Sequence, residues 1–225
     1  MVHPQEANAV LPGKPLLRGW FHAGAALCSL PLIVVLCWSS REDLPRLFSL
    51  LIFGLSTLAL YSVSAIYHIG TWRGNWQRRL RAIDHANIFL VIAGTYTPIC
   101  FNVLTAWQRN LTLITIWLLA GSGVVLALFR PSTPRWVRTG LYLGMGWVSL
   151  MILPSILGML PWLAVFMLFL GGTLYTLGGV VYGLRWPNPF PRILGFHEIF
   201  HLFVIAGGWA FVLAIWIWVL PFPRS

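Results

Sequence analysis

The feature that most constrains this chain is a series of seven apolar segments, each close to the roughly 20 residues that a helix needs to cross a bilayer. Arg, Pro and Gly punctuate them, and they span residues 20–38, 47–69, 82–104, 111–129, 139–157, 162–184 and 196–220. The segments are continuously apolar, without the alternation of a membrane β-barrel. Because an isolated span satisfies its backbone hydrogen bonds only as a helix, the sequence predicts an all-α integral membrane protein, a seven-transmembrane helix bundle.

The composition excludes an ordinary soluble protein. Only 9% of the 225 residues are charged and 58% are hydrophobic, whereas an average soluble domain is about 25% charged. The apolar segments leave no room for a separate domain, so we predict a single transmembrane domain over residues 1–225. Pro154 is expected to bend or end the fifth span.

The distribution of the basic residues predicts the orientation. On a seven-span path, one side of the membrane carries eleven of them: Lys14, Arg18, Arg73, Arg78, Arg79, Arg81, Arg130, Arg135, Arg138, Arg185 and Arg192. The other side carries four: Arg41, Arg46, Arg109 and Arg224. By the positive-inside rule, the N-terminus is cytoplasmic and the C-terminus is outside. The net charge of +10 is therefore a sign of topology, and no nucleic-acid partner is expected.

Ionisable side chains inside the spans are the candidates for function, because they are costly in lipid unless they are paired or bind a metal. They are His22, His68, Asp84, His85, His197, Glu198 and His201. The predicted topology places His68 at the cytoplasmic end of the second span and Asp84 in the first turn of the third. His197 falls in the first turn of the seventh span, so three distant spans deliver polar groups to one leaflet.

The histidine spacing indicates a metal site. His197 and His201 are four residues apart, so their rings share one helix face at a separation of about 6 Å. His68 can supply a third imidazole from the second span, and Ser64 lies one turn deeper on the same face as His68. Three neutral imidazoles with an open fourth position are typical of catalytic zinc.

Each of these residues also has a plainer interpretation. The histidine pair can simply bond to neighbouring helices, Asp84 can cap the third helix, and Ser64 can be a packing residue. His85 is rotated about 100° from Asp84 and favours a supporting position over a ligand. His22 and Glu198 are left with the same assignment as His85.

Three motifs resemble those of the hemolysin III family. They are SAIYH at residues 64–68, DHANIF at 84–89 running into AGTYTP at 93–98, and FHEIFH at 196–201. This family is the bacterial branch of the progestin and adipoQ receptor superfamily, which includes the adiponectin receptors. The resemblance covers nearly the whole chain and implies a multi-pass protein of the bacterial inner (cell) membrane.

The resemblance also implies roles for particular residues. His68, His197 and His201 would bind zinc, Asp84 would hold the zinc-bound water, and Ser64 would lie beside it. The chain departs from the family before its first histidine, where LLRGWF at residues 16–21 replaces the usual acidic residue and Asn. No role is therefore carried over to His22.

Two classes of function remain open at this stage. The first resembles the ceramidase-like activity proposed for the superfamily and would serve membrane homeostasis. Zinc and Asp84 activate a water molecule that attacks the amide or ester of a membrane lipid, and Ser64 orients Asp84 or donates a hydrogen bond to the oxyanion. In the second, the protein is not an enzyme: zinc is structural in a receptor-like protein, or the protein is a cytolytic hemolysin. A minor alternative takes HEIFH at 197–201 as the HExxH motif of an intramembrane metalloprotease, with Glu198 as the general base.

Overall fold

The fold, seen in a computed structural model that describes residues 14–223, is a bundle of helices. The long helices are α1 (Trp20–Ser39), α2 (Leu44–Ile69), α3 (Gly74–Val103), α4 (Ala106–Phe129), α7 (Trp162–Leu184) and α8 (Phe196–Ala214). Between α4 and α7 lie α5 (Arg135–Gly146), a 3-10 turn (Trp147–Met151) and α6 (Leu153–Met159), and a π-helical turn (Ile215–Val219) extends α8. The described residues form no strand, so the all-α prediction is confirmed.

The bent pair of helices α5 and α6 completes a set of seven spans. The six long helices are each long and apolar enough to cross a membrane, and the pair is a seventh if it counts as one span. At one end of the bundle, Arg135 of α5 packs over the Tyr182 ring, near the end of α7. At the other end, Ser155 of α6 accepts a hydrogen bond of 2.7 Å from Gln108, near the start of α4. The pair therefore runs the full length of the bundle.

The bend between α5 and α6 measures 52° and confirms the prediction made from Pro154, which lies in the first turn of α6. A bend leaves backbone N–H and C=O groups without their helical hydrogen-bond partners. Because lipid offers no hydrogen bonds, other groups of the protein must bond to them. Tyr96 of α3 supplies these bonds: its hydroxyl donates to the Gly146 carbonyl at 2.6 Å and accepts from the Ser149 amide at 2.7 Å. The interruption of the span is thus satisfied from the neighbouring helix.

Helix α3 lies at the centre of the bundle, and 83% of its most apolar 18-residue stretch is buried. It begins at Gly74, eight residues before the predicted start, and α5 begins at Arg135, four residues before its predicted start. In both cases an arginine-rich stretch that was predicted to be a loop forms the start of the helix. Arg is a good helix former, so hydropathy sets the limits of the apolar span but not the end of the helix.

The two ends of the bundle carry different charge. The end that holds His68 and His197, called here the histidine end, gathers the eleven basic residues that the sequence assigned to one side. At the opposite end lie Arg41, Arg46 and Arg109, and Arg224 lies outside the described residues. The guanidinium of Arg46 there donates to the carbonyls of Leu220 and Phe222, which ties the start of α2 to the chain after α8.

This asymmetry gives a topology prediction. We expect the histidine end to face the cytoplasm, because it carries eleven basic residues and the cytoplasmic side of membrane proteins is enriched in Lys and Arg. Alkaline phosphatase fused after residue 75 should be inactive, whereas a fusion after residue 105, at the opposite end, should be active. The reverse pattern would place the histidine end outside the cell.

Candidate metal centre

Three histidines from two helices converge at the histidine end. His68 lies in the last turn of α2, and His197 and His201 lie on the first two turns of α8. One ligand atom from each of the three lies within 4.8 Å of the other two. The Nε2 atoms of His68 and His197 are 3.0 Å apart, close to the separation of about 3.3 Å that two nitrogens have on one tetrahedral zinc ion. The group therefore fits a metal ion in number, type and spacing.

A carboxylate lies directly beside these histidines. The Oδ2 atom of Asp84, three turns into α3, is 3.7 Å from the Nε2 atom of His68. Ser64, buried one turn before His68 on α2, makes a side-chain hydrogen bond to Asp84. Every residue that the sequence singled out for the site thus lies in one cluster, although three separate helices supply them.

His22 also belongs to this cluster, although the family resemblance implies no role for it. Its ring stacks on that of His201, with centroids 3.8 Å apart and planes 12° apart. Both of its ring nitrogens are buried, and neither has a hydrogen-bond partner among the described residues. The resemblance did not indicate this position, because residues 16–21 depart from the family pattern just before His22. Its position, three residues into the first span at the same end as the other histidines, was the available signal.

His85 takes the supporting position expected from its rotation away from Asp84. Its Nδ1 lies 2.6 Å from the carbonyl oxygen of Arg81 and donates to it, because a carbonyl only accepts. Its own carbonyl accepts from the hydroxyl of Tyr142 at 3.2 Å. His85 lies outside the group of three histidines that have the spacing of metal ligands.

Glu198 lies outside the group of three histidines and is held by contacts at the start of α8. Its side chain is fully buried, where it pairs with Arg18 and accepts from the backbone amide of Gly195 at 2.8 Å. The second contact caps the start of α8. In an HExxH protease the corresponding carboxylate activates the water at the metal. Both oxygens of Glu198 already have other partners, one the guanidinium of Arg18 and the other the Gly195 amide.

This arrangement predicts that Glu198→Gln acts on stability. The change removes one charge of a buried pair and leaves Arg18 without its partner. We expect a loss of about 1–3 kcal/mol, measured as a lower unfolding midpoint in detergent. The double variant Arg18→Gln/Glu198→Gln should recover part of the loss, because no charge is then left unpaired. Equal stability of Glu198→Gln and the parent would argue against the pair.

A cavity of about 180 Å³ opens from the cluster into the bundle. Ser64, Asp84, His197 and His201 line its polar end. The rest is lined mainly by apolar side chains, among which lie scattered hydroxyl groups such as those of Thr95 and Thr176. Along α3 the lining runs from Asp84 to Ile99, which at 1.5 Å per residue is about 22 Å. A small polar centre thus lies at one end of a long apolar space.

Comparison with known proteins identifies the family. The profile of the family described as "Haemolysin-III related" matches residues 12–212, which include every residue of the cluster. The chain belongs to the haemolysin III family. The resemblance inferred from the three motifs is therefore confirmed.

The bacterial relatives match the haemolysin III protein over nearly its whole length. The "Hemolysin-3 homolog" of Bacillus subtilis (strain 168) is 31% identical over 207 residues, covering 90% of this chain and 92% of the relative. "Hemolysin-3" of Bacillus cereus is 28% identical over 203 residues, covering 89% of each chain. The apolar helices and these relatives identify a multi-pass integral membrane protein of the bacterial cell (inner) membrane.

A more distant relative comes from an animal. The human "Monocyte to macrophage differentiation factor" is 27% identical over 184 residues, covering 77% of this chain and 71% of the relative. The haemolysin III bundle is thus similar in sequence to a eukaryotic protein whose name refers to neither lysis nor catalysis.

Proposed function

We propose that this haemolysin III protein is a zinc-dependent, ceramidase-like hydrolase that cleaves lipid amides or esters and contributes to membrane homeostasis. The observation that carries the proposal is the Asp84 carboxylate beside three convergent histidines, at the polar end of a long apolar cavity. A carboxylate is the general base that such hydrolysis requires. A membrane lipid is the substrate that such a cavity suits.

The side chains divide the chemical work between them. His68, His197 and His201 would hold the zinc ion, which when bound supplies Lewis acidity and an activated water. Asp84 accepts the proton of the attacking water and returns it to the leaving group. Ser64 donates its hydroxyl to Asp84 and keeps the carboxylate turned towards the histidines.

The shape of the cavity supports a lipid substrate. Its lining along α3 extends about 22 Å, more than the roughly 15 Å that one leaflet contributes to a hydrocarbon core of about 30 Å. An acyl chain can lie in the apolar part while its carbonyl reaches Asp84. The eleven basic residues at the histidine end favour access from the cytoplasmic leaflet.

The names of the Bacillus relatives favour a second candidate, a cytolytic membrane protein without enzymatic activity. A conducting pore needs a polar pathway from end to end. The lining of the cavity beyond the cluster is mainly apolar with only scattered hydroxyl groups, which makes pore formation the weaker proposal. A structural zinc ion in a receptor-like protein is the remaining form of this alternative. It differs from the hydrolase in requiring no turnover.

The experiment that tests the hydrolase is an assay of the purified protein against a panel of acyl amides and esters in mixed micelles. Released fatty acid is measured by mass spectrometry, with and without a chelator. We expect release that the chelator abolishes and that added zinc restores. A zinc-loaded, folded protein that releases no fatty acid from any member of the panel would favour the non-enzymatic alternative.

A further inference from the structure

Arg138 is a buried residue whose guanidinium has no counter-ion in the described part of the chain. It lies in the first turn of α5, and only 6% of its surface is exposed. Among residues 14–223 its guanidinium forms no hydrogen bond and no ion pair, whereas its backbone amide donates to the Pro134 carbonyl at 3.2 Å. Burial of a guanidinium without a paired anion costs several kcal/mol. An anionic ligand bound to Arg138 would offset this cost.

The surroundings of Arg138 connect it to the metal centre. Its charge acts on His85, the residue after Asp84, and on Tyr142, whose hydroxyl bonds to the His85 carbonyl. The next residue, Thr139, lines the cavity, and its buried hydroxyl has no partner among the described residues. Thr139 thus presents an unpartnered hydroxyl to the cavity, directly after the unpaired guanidinium of Arg138 in the chain.

Further arginines surround the same place. Arg81 and Arg135 both act on His85 electrostatically, and Arg135 packs over the ring of Tyr182, which in turn contacts the ring of His197. Three carboxylates of the described chain pair with other arginines: Glu198 with Arg18, Asp43 with Arg46 and Glu42 with Arg41. The fourth, Asp84, lies at the polar end of the cavity beside His68 and forms no ion pair with Arg81, Arg135 or Arg138. Three arginines thus lie around the mouth of the cavity near a single carboxylate, so the described chain leaves this region with an excess of positive charge.

We propose that Arg138, with Arg135 and Thr139, binds the phosphate of an anionic membrane lipid at the mouth of the cavity. A guanidinium matches two phosphate oxygens with two parallel hydrogen bonds, and the hydroxyl of Thr139 can donate a third. The first turn of a transmembrane helix lies near the headgroups, where basic pockets between helices bind anionic lipids. For the identity of the substrate, the proposal rests on the hydrolase function and names phosphate-bearing acyl lipids; the binding itself does not depend on turnover.

The test is a lipid titration of the purified full-length protein in neutral detergent. Phosphatidylglycerol, phosphatidylcholine and inorganic phosphate are each added, and the unfolding midpoint gives the apparent Kd. The variant is Arg138→Gln, and the matched control is Arg130→Gln, which removes the same charge from an exposed position at the same end. Since hydrogen bonds to charged groups contribute about 1.5–3 kcal/mol, Arg138→Gln should weaken phosphatidylglycerol binding about tenfold to a hundredfold.

The outcomes separate the alternatives. The proposal requires that phosphatidylglycerol binds more tightly than phosphatidylcholine, and that Arg130→Gln changes this preference little. Equal affinity of Arg138→Gln and the parent overturns it, and inorganic phosphate binding as tightly as phosphatidylglycerol identifies a free-anion site instead. If Arg138→Gln does not fold, Arg138→Lys and Thr139→Val provide the same comparison. A parent protein that binds phosphatidylglycerol but hydrolyses nothing contradicts the hydrolase alone.

Discussion

Elemental analysis of the purified protein is expected to find close to one zinc ion per chain, and the double change His197→Ala/His201→Ala is expected to remove it. The two residues supply two of the three imidazoles that lie within 4.8 Å of one another. With His68 alone the site keeps one protein ligand, which is too few for a stable zinc site. Zinc content and secondary structure are measured on the same samples, so that loss of metal is separated from loss of fold.

The matched control for the metal is His85→Ala. It removes an imidazole from the same region, but one that bonds to the Arg81 carbonyl and lies outside the group of three. We expect this variant to retain its zinc. Full zinc occupancy in His197→Ala/His201→Ala would show that the zinc ion is bound elsewhere.

Asp84→Asn is expected to abolish hydrolysis while the zinc ion stays bound. The change keeps the shape of the side chain and its contact with Ser64 but removes the base beside His68. General base catalysis contributes about 10²–10⁴ in rate, so turnover should fall by at least the lower of these factors. The measurement is fatty-acid release per zinc-loaded chain.

Glu198→Gln is the matched control, because it makes the same chemical change at a carboxylate that pairs with Arg18 and caps α8. Its turnover per folded chain should stay near that of the parent, even though its stability falls. The opposite result, an active Asp84→Asn beside a folded, zinc-loaded but inactive Glu198→Gln, would favour the HExxH protease. If neither change affects the measured turnover, neither carboxylate is the base, and a structural role for zinc becomes the better proposal.

The parts of this structure that were predictable from sequence are those determined by the surrounding lipid bilayer. Lipid demands long apolar helices, so the seven spans follow from hydropathy, and the bend follows from Pro154. Lipid also penalises stray charges, which made His68, Asp84, His197 and His201 stand out. Their convergence followed from counting spans, because the end at which a side chain lies depends only on the number of crossings before it.

The parts that were not predictable depend on contacts between distant residues. Nothing in the local sequence of Arg18 pairs it with Glu198, and nothing near His22 stacks it on His201. Arg138 was missed for a different reason: hydropathy placed it in a loop, whereas α5 starts at Arg135 and carries it into the bundle. Hydropathy locates the apolar core of a span and is silent about the polar turn that leads into it.

The hydrogen bonds of Tyr96 to the bend have a consequence for how this protein family can vary. Helix α3 carries Asp84 at one end of the cavity and, twelve residues later, the side chain that holds the bend in place. An inserted residue between them would rotate everything beyond it by about 100° and turn the buried face of α3 outward. Relatives can therefore change the depth of the cavity only by filling it, and Gly172, which lines it and has open space where a side chain would start, is the natural place to do so.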